Sequence, residues 1–117
     1  CVMPFMFFGN YPLIELLNAV TGWGLDVTEA LATGARIQTL RQSFNIREGI
    51  RAADVRLPDR MAGRPPHTAG PLAGVVIDVD SLARDYRRAM GWDAETGEPT
   101  VQTLDKLGLS ELVRHHG

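Results

Sequence analysis

Residues 34–49 read Gly-Ala-Arg-Ile-Gln-Thr-Leu-Arg-Gln-Ser-Phe-Asn-Ile-Arg-Glu-Gly. Traced back to Val27, the apolar positions Val27, Ala30, Leu31, Ile37, Leu40 and Phe44 fall at offsets 0, 3, 4, 10, 13 and 17. On a helix of about 3.6 residues per turn those offsets form one stripe, which predicts a long helix with that face on the core. Gly34 lies on the stripe. Glycine inside a helix costs roughly 1 kcal/mol against alanine, so its presence predicts a close neighbour there. Arg36, Gln38, Arg41 and Gln42 occupy the flank assigned to solvent.

Asp26, with Glu29 three residues on, has capping-box spacing and sets the helix start at Val27. The helix is expected to run to about Phe44, with a bent continuation through Gly49 to Arg51. Upstream, Pro12 suits a first helical turn. Leu13, Leu16, Leu17 and Val20 repeat at helical spacing, and Thr21-Gly22 stops the pattern. Downstream, Leu57-Pro58-Asp59-Arg60-Met61 supports one helical turn at most. Residues 62–74 hold three Pro and three Gly and have no period, which predicts an irregular connection. Val75-Val76-Ile77 is too short to assign as a strand. Asp78 is a natural N-cap for a helix from Val79 to Met90, with Asp80 and Arg84 at ion-pair spacing. Gly91-Trp92-Asp93 ends that helix. Thr100 can cap another carrying Val101, Leu104 and Leu107, with Gly108 just past its end, and Ser110 with Glu111 opens a last turn through His115. The pattern is all-α: an irregular domain of about four to six helices with a long Pro/Gly-rich connection. No internal repeat or boundary divides residues 1–117, so one domain is expected.

Composition excludes several classes. The 117 residues carry twelve basic and fourteen acidic side chains, a net charge of −2. No basic footprint for nucleic acid exists at that balance. Eleven of the twelve basic residues are Arg, a composition bias and not a surface. A single Cys forms no internal disulfide and fits a reducing compartment, the cytoplasm. No apolar run reaches membrane-spanning length. The opening Cys-Val-Met-Pro-Phe-Met-Phe-Phe is apolar, lacks a charged region before it and contains Pro4, so it is not a signal peptide. It reads as a core segment whose upstream partner belongs to a larger protein. Such a run exposed alone predicts self-association into a homo-oligomer, or burial of Phe5, Phe7 and Phe8 against the chain's own helices.

Local chemistry is sparse. No phosphate loop, zinc spacing or nucleophile with an adjacent base occurs. His67 sits in the Pro-rich connection and reads as solvated. His115 and His116 are adjacent and cannot share one helix face around a metal. Trp23 and Trp92, each beside a Gly at a helix end, read as packing anchors. Arg47-Glu48 reads either as a substrate clamp or as an ion pair joining a helix end to a loop. Taken alone, Cys1 is an inert buried thiol.

Five pieces together resemble the C-terminal domain of the tungsten-containing aldehyde:ferredoxin oxidoreductase family. They are residues 34–49 as quoted, Leu-Pro-Asp-Arg at 57–60, Tyr86 with Gly91-Trp92-Asp93, Gly-Glu-Pro-Thr at 97–100, and Leu-Asp-Lys-Leu-Gly-Leu at 104–109. They stand in the family's order and span nearly the whole chain. The resemblance implies a parent enzyme that oxidises an aldehyde to a carboxylate at a tungsten (or molybdenum) bis-pterin centre. Electrons would leave through a [4Fe–4S] cluster to a ferredoxin. It also implies that Cys1 matches the last cluster ligand, which closes an Asp-x-x-Gly-x-Cys motif in the family. The motif's Asp and Gly, the other three cysteines and the N-terminal pterin-binding domain are absent from these residues. The fragment alone is therefore expected to be inactive and free of cofactor. Phe5, Phe7 and Phe8, with Asn45, Arg47 and Glu48, would line a substrate channel. Relatives act on other substrates, including aromatic thioesters. Two readings from other classes stay open: a free-standing helical interaction module, and a regulatory helical domain with a pocket lined by Met3, Met6 and the aromatics.

Overall fold

The computed structural model describes residues 11–115. These form helices α1 (Leu13–Thr21), α2 (Val27–Arg47), α3 (Val79–Ala89) and α4 (Val101–Lys106), with 3-10 turns at Ala52–Asp54 and Ser110–His115. Among the described residues there is no strand, only isolated bridges joining His67 to Ala73 and Trp92 to Pro99. The all-α expectation is met. The apolar run with Cys1, Phe5, Phe7 and Phe8 lies outside the described residues, as does its expected burial. The chain divides into two units, residues 1–35 and 36–117, and each is taken by itself.

In the described part of the first unit, local hydrogen bonds hold the connection between α1 and α2. Gly22 stops α1 in the left-handed region at φ 69°, its N–H donating to the Asn18 carbonyl at 2.8 Å. Asn18 then clasps the next loop: its amide donates to Leu25 O at 2.8 Å and accepts from Leu25 N at 2.8 Å. Both halves of the capping box at α2 are present. Glu29 N–H donates to Asp26 Oδ1 at 2.8 Å, and Asp26 N–H donates to Glu29 Oε2 at 3.0 Å. Trp23 is not an anchor: it is 66 % exposed.

The second unit is built on the other face of α2 from the one the apolar stripe predicts. Ile37, Leu40 and Phe44 are each about half exposed, and Val27 and Leu31, on the first unit's part of α2, are exposed as well. The buried residues are Thr39, at 0 % exposure, and Ser43, flanked by half-buried Gln42 and Ile46. These four repeat at offsets 0, 3, 4 and 7, a helical stripe of their own. The small size of Thr39 and Ser43 is the physical reason. Trp92, 8 % exposed, reaches the helix and donates from Nε1 to Thr39 Oγ1 at 3.2 Å. A leucine at position 39 would hold the indole away. Tyr86 meets the Trp92 ring edge-on, centroids 5.7 Å apart. Gly34 has no neighbour either, since a Cβ there meets nothing within 4 Å among the described residues. Gly34→Ala is therefore expected to stabilise the chain by about 0.5–1 kcal/mol. Thermal melts would check it, and a destabilised variant would put a close neighbour back at that point.

The remaining helices start as their sequences dictate. Asp78 caps α3 by accepting from Ser81 N at 3.1 Å, and Thr100 caps α4 by accepting from Thr103 N at 3.2 Å. The expected Asp80–Arg84 pair is not made; Arg84 instead donates to Ser81 Oγ at 3.3 Å. Arg36 Nε donates to the Leu107 carbonyl at 2.9 Å, placing a cation where the end of α4 carries negative partial charge. Between α3 and α4 the chain is knotted by side chains. Asp93 Oδ1 accepts from Thr96 N at 2.7 Å, Glu95 N at 2.9 Å and Thr96 Oγ1 at 3.0 Å. Gly91 O accepts from both Thr103 Oγ1 and Thr100 Oγ1. Gly91 is required here: its φ is +71°, and a Cβ would collide with Thr103 Oγ1.

The Thr96 backbone and side chain, then the Glu95 backbone, hold the Asp93 carboxyl below its usual range. A carboxyl depressed by folding stabilises fully above its ordinary value, about 4. That contribution drains away as pH falls through the lower folded value. Asp93→Asn should flatten the acid limb of the stability curve below about pH 4. Urea unfolding of both proteins across that range checks it, and parallel curves would sink the assignment.

Candidate functional site

The second unit carries a cleft of about 350 Å³, built where α2 ends. Gly49, at φ 83°, turns the chain out of α2 and donates to Ile46 O at 2.9 Å, while Ile50 N–H donates to Asn45 O at 2.9 Å. The 3-10 turn follows, held by Arg51 N–H donating to Asp54 Oδ2 at 2.8 Å and Asp54 N–H donating to Arg51 O at 2.9 Å. This turn faces the first residues of α3. At the start of α3, hydrogen bonding from the Ser81 side chain and then the Ser81 backbone lowers the Asp78 carboxyl below its usual range.

Val55, Leu57, Val79, Ala83, Tyr86 and Trp92 supply apolar walls; Gln42, Asn45, Arg51, Arg56 and Arg87 supply the polar groups. Among the described residues, no Asp or Glu lines it. Two of the polar groups are already engaged. Gln42 Nε2 donates to Gly97 O at 3.0 Å, and Arg87 Nη1 donates to Ala94 O at 2.8 Å. Buried Gly97 makes room for both, since a Cβ on it would lie 3.1 Å from Gln42 Nε2 and 3.5 Å from Arg87 Nε. Neither Arg51 nor Arg56 is ion-paired among the described residues.

Of the residues singled out from sequence, Asn45 lines this cleft and Arg47 and Glu48 do not. Arg47 and Glu48 bind each other at 3.0 Å, both about half exposed, and the Arg47 guanidinium lies 4.9 Å from the Phe44 ring centroid. The pair joins the last residue of α2 to the first residue of the turn that follows it. Cys1, Phe5, Phe7 and Phe8 lie outside the described residues. Sequence reasoning missed Gln42, Arg51, Arg56 and Arg87, whose one signal was two arginines bracketing a short Ala-Ala-Asp-Val segment.

The described residues contain no group of three or more His, Cys, Asp or Glu placed to hold a metal. A [4Fe–4S] cluster takes four thiolates, and the chain has one Cys, so its own residues do not fit such a cluster. No described helix is long and apolar enough to cross a membrane.

No curated protein and no solved structure matches the chain. A family model does, described as "Aldehyde ferredoxin oxidoreductase, domains 2 & 3", over residues 2–109. That match takes in the Gly91-Trp92-Asp93 knot, both faces of α2 and the cleft residues alike, and the chain belongs to the aldehyde ferredoxin oxidoreductase family.

Proposed function

We propose that residues 1–117 form the C-terminal part of a cytoplasmic aldehyde:ferredoxin oxidoreductase. In this reading the parent converts an aldehyde to a carboxylate and delivers electrons to a ferredoxin. A tungsten (or molybdenum) pterin and a [4Fe–4S] cluster belong to the whole protein, and this chain contributes Cys1 as one of the thiolates. It would form one domain, with Phe5, Phe7, Phe8, Asn45, Arg47 and Glu48 as channel walls. The observation that carries the reading is the family match across residues 2–109. The outward stripe of α2 supports it. Ile37, Leu40 and Phe44 are large, adjacent on one face and exposed, as expected of a helix that also packs on a further domain of the same protein. Another copy of the chain could share that face in an oligomer.

The test is metal analysis and an aldehyde-dependent ferredoxin assay on the complete protein, with the 117-residue chain in parallel. Iron and tungsten or molybdenum in the first, and a colourless, inactive second, are expected. Stoichiometric iron in the 117-residue chain, or a complete protein with no iron, would overturn the assignment.

A further inference from the structure

We infer that the cleft between the end of α2, the Ala52–Asp54 turn and the start of α3 binds a small organic carboxylate. Its charge is one-sided: Arg51, Arg56 and Arg87 line it and no acidic residue does. Arg56 and Arg87 also line an adjoining recess of about 430 Å³ with Arg64, Asp59 and Asp80, and Arg51 lines another with Glu95 and Glu98. None of these carboxylates is within ion-pair distance of the three arginines. Arg87 spends Nη1 on the Ala94 carbonyl, whereas Arg51 and Arg56 have no ion-pair partner among the described residues. The Asn45 side chain makes no hydrogen bond there and adds a neutral donor beside them.

The walls decide what the anion carries. Val55, Leu57, Val79 and Tyr86 would stay wetted around a bare inorganic ion, and their burial favours a ligand with a hydrocarbon or aromatic body. The cleft, about 350 Å³ and open to solvent, has room for a ring-sized or short-chain body. A planar carboxylate matches the guanidinium fork and leaves most of that space for the body. The inference stands on the cleft alone and does not depend on the redox reading.

Trp92 lines the cleft and can report occupancy once exposed Trp23 is replaced by phenylalanine. Fluorescence titration of the full Trp23→Phe chain with benzoate and hexanoate should saturate. Benzyl alcohol, the neutral analogue, and inorganic phosphate should bind about tenfold more weakly or not at all. Arg56→Gln and Arg51→Gln should each weaken benzoate about tenfold. Arg60→Gln, exposed and outside the cleft, should leave it unchanged. Benzyl alcohol binding as tightly as benzoate would make this an apolar pocket only. Phenyl phosphate or inorganic phosphate binding more tightly than benzoate would overturn the carboxylate class. No saturable response, or equal losses from Arg60→Gln and Arg56→Gln, would overturn the site.

Discussion

Trp92→Ala is expected to remove a large share of the stability of residues 36–117. The apolar residues buried among those described are Ala62, Trp92 and Leu104, and Trp92 is much the largest of the three. Truncating a buried aromatic to alanine costs about 3–5 kcal/mol, against a total of about 5–15 kcal/mol for an ordinary domain. The loss is also not confined to packing. Thr39 Oγ1 would lose its indole donor and the Tyr86 edge contact would vanish. Trp92→Phe separates the parts. It keeps an aromatic ring in the site but removes the indole N–H and part of the buried ring, so it should cost about 1–3 kcal/mol. Urea unfolding followed by near-ultraviolet circular dichroism reads both variants. If Trp92→Ala unfolds within about 1 kcal/mol of the parent chain, the indole is not what holds α2 to the Gly91–Thr100 loop.

The second large effect belongs to the complete protein, where Cys1→Ser should lower iron content and bring aldehyde-dependent ferredoxin reduction to background. A serine hydroxyl is a harder and far less acidic donor than a thiol, so iron holds it poorly. The bland alternative is a buried thiol with no ligand role. Exchanging it for a hydroxyl would then cost about 1–3 kcal/mol of stability and leave both iron and turnover in place. Iron assays on wild-type and variant protein, scaled to folded protein by circular dichroism, distinguish the two. Full iron with normal rates in the variant would remove Cys1 from the cluster and leave this chain a structural part.

Helix ends were legible in the sequence because a cap is a transaction among four or five consecutive residues. Asp26 with Glu29, Asp78, Thr100 and Gly22 all do in space what their spacing implies. The face of α2 was not legible for a different reason. A 3.6-residue period says that a stripe exists, and says nothing about which surface covers it. The unit's own core took the Thr39 and Ser43 face, where close approach is cheap, and left Phe44 outward. The cleft was hidden for a third reason. Gln42, Arg56, Tyr86 and Trp92 are brought together across fifty positions by a turn and two helices, and no local pattern encodes that. The family resemblance supplied the class, but the motif it rested on at Gly91-Trp92-Asp93 turns out to build a loop.

The two-faced α2 has a calorimetric consequence. Heat capacity rises on unfolding mainly because apolar surface meets water, typically by about 1.2–1.5 kcal/mol/K per 100 residues. Here the face turned inward is hydroxyl-bearing and the face already wet is Ile37, Leu40 and Phe44. Unfolding of the second unit should therefore show a small heat-capacity increment and a shallow dependence on urea. The missing increment should reappear as a negative heat-capacity change when that outer face is covered.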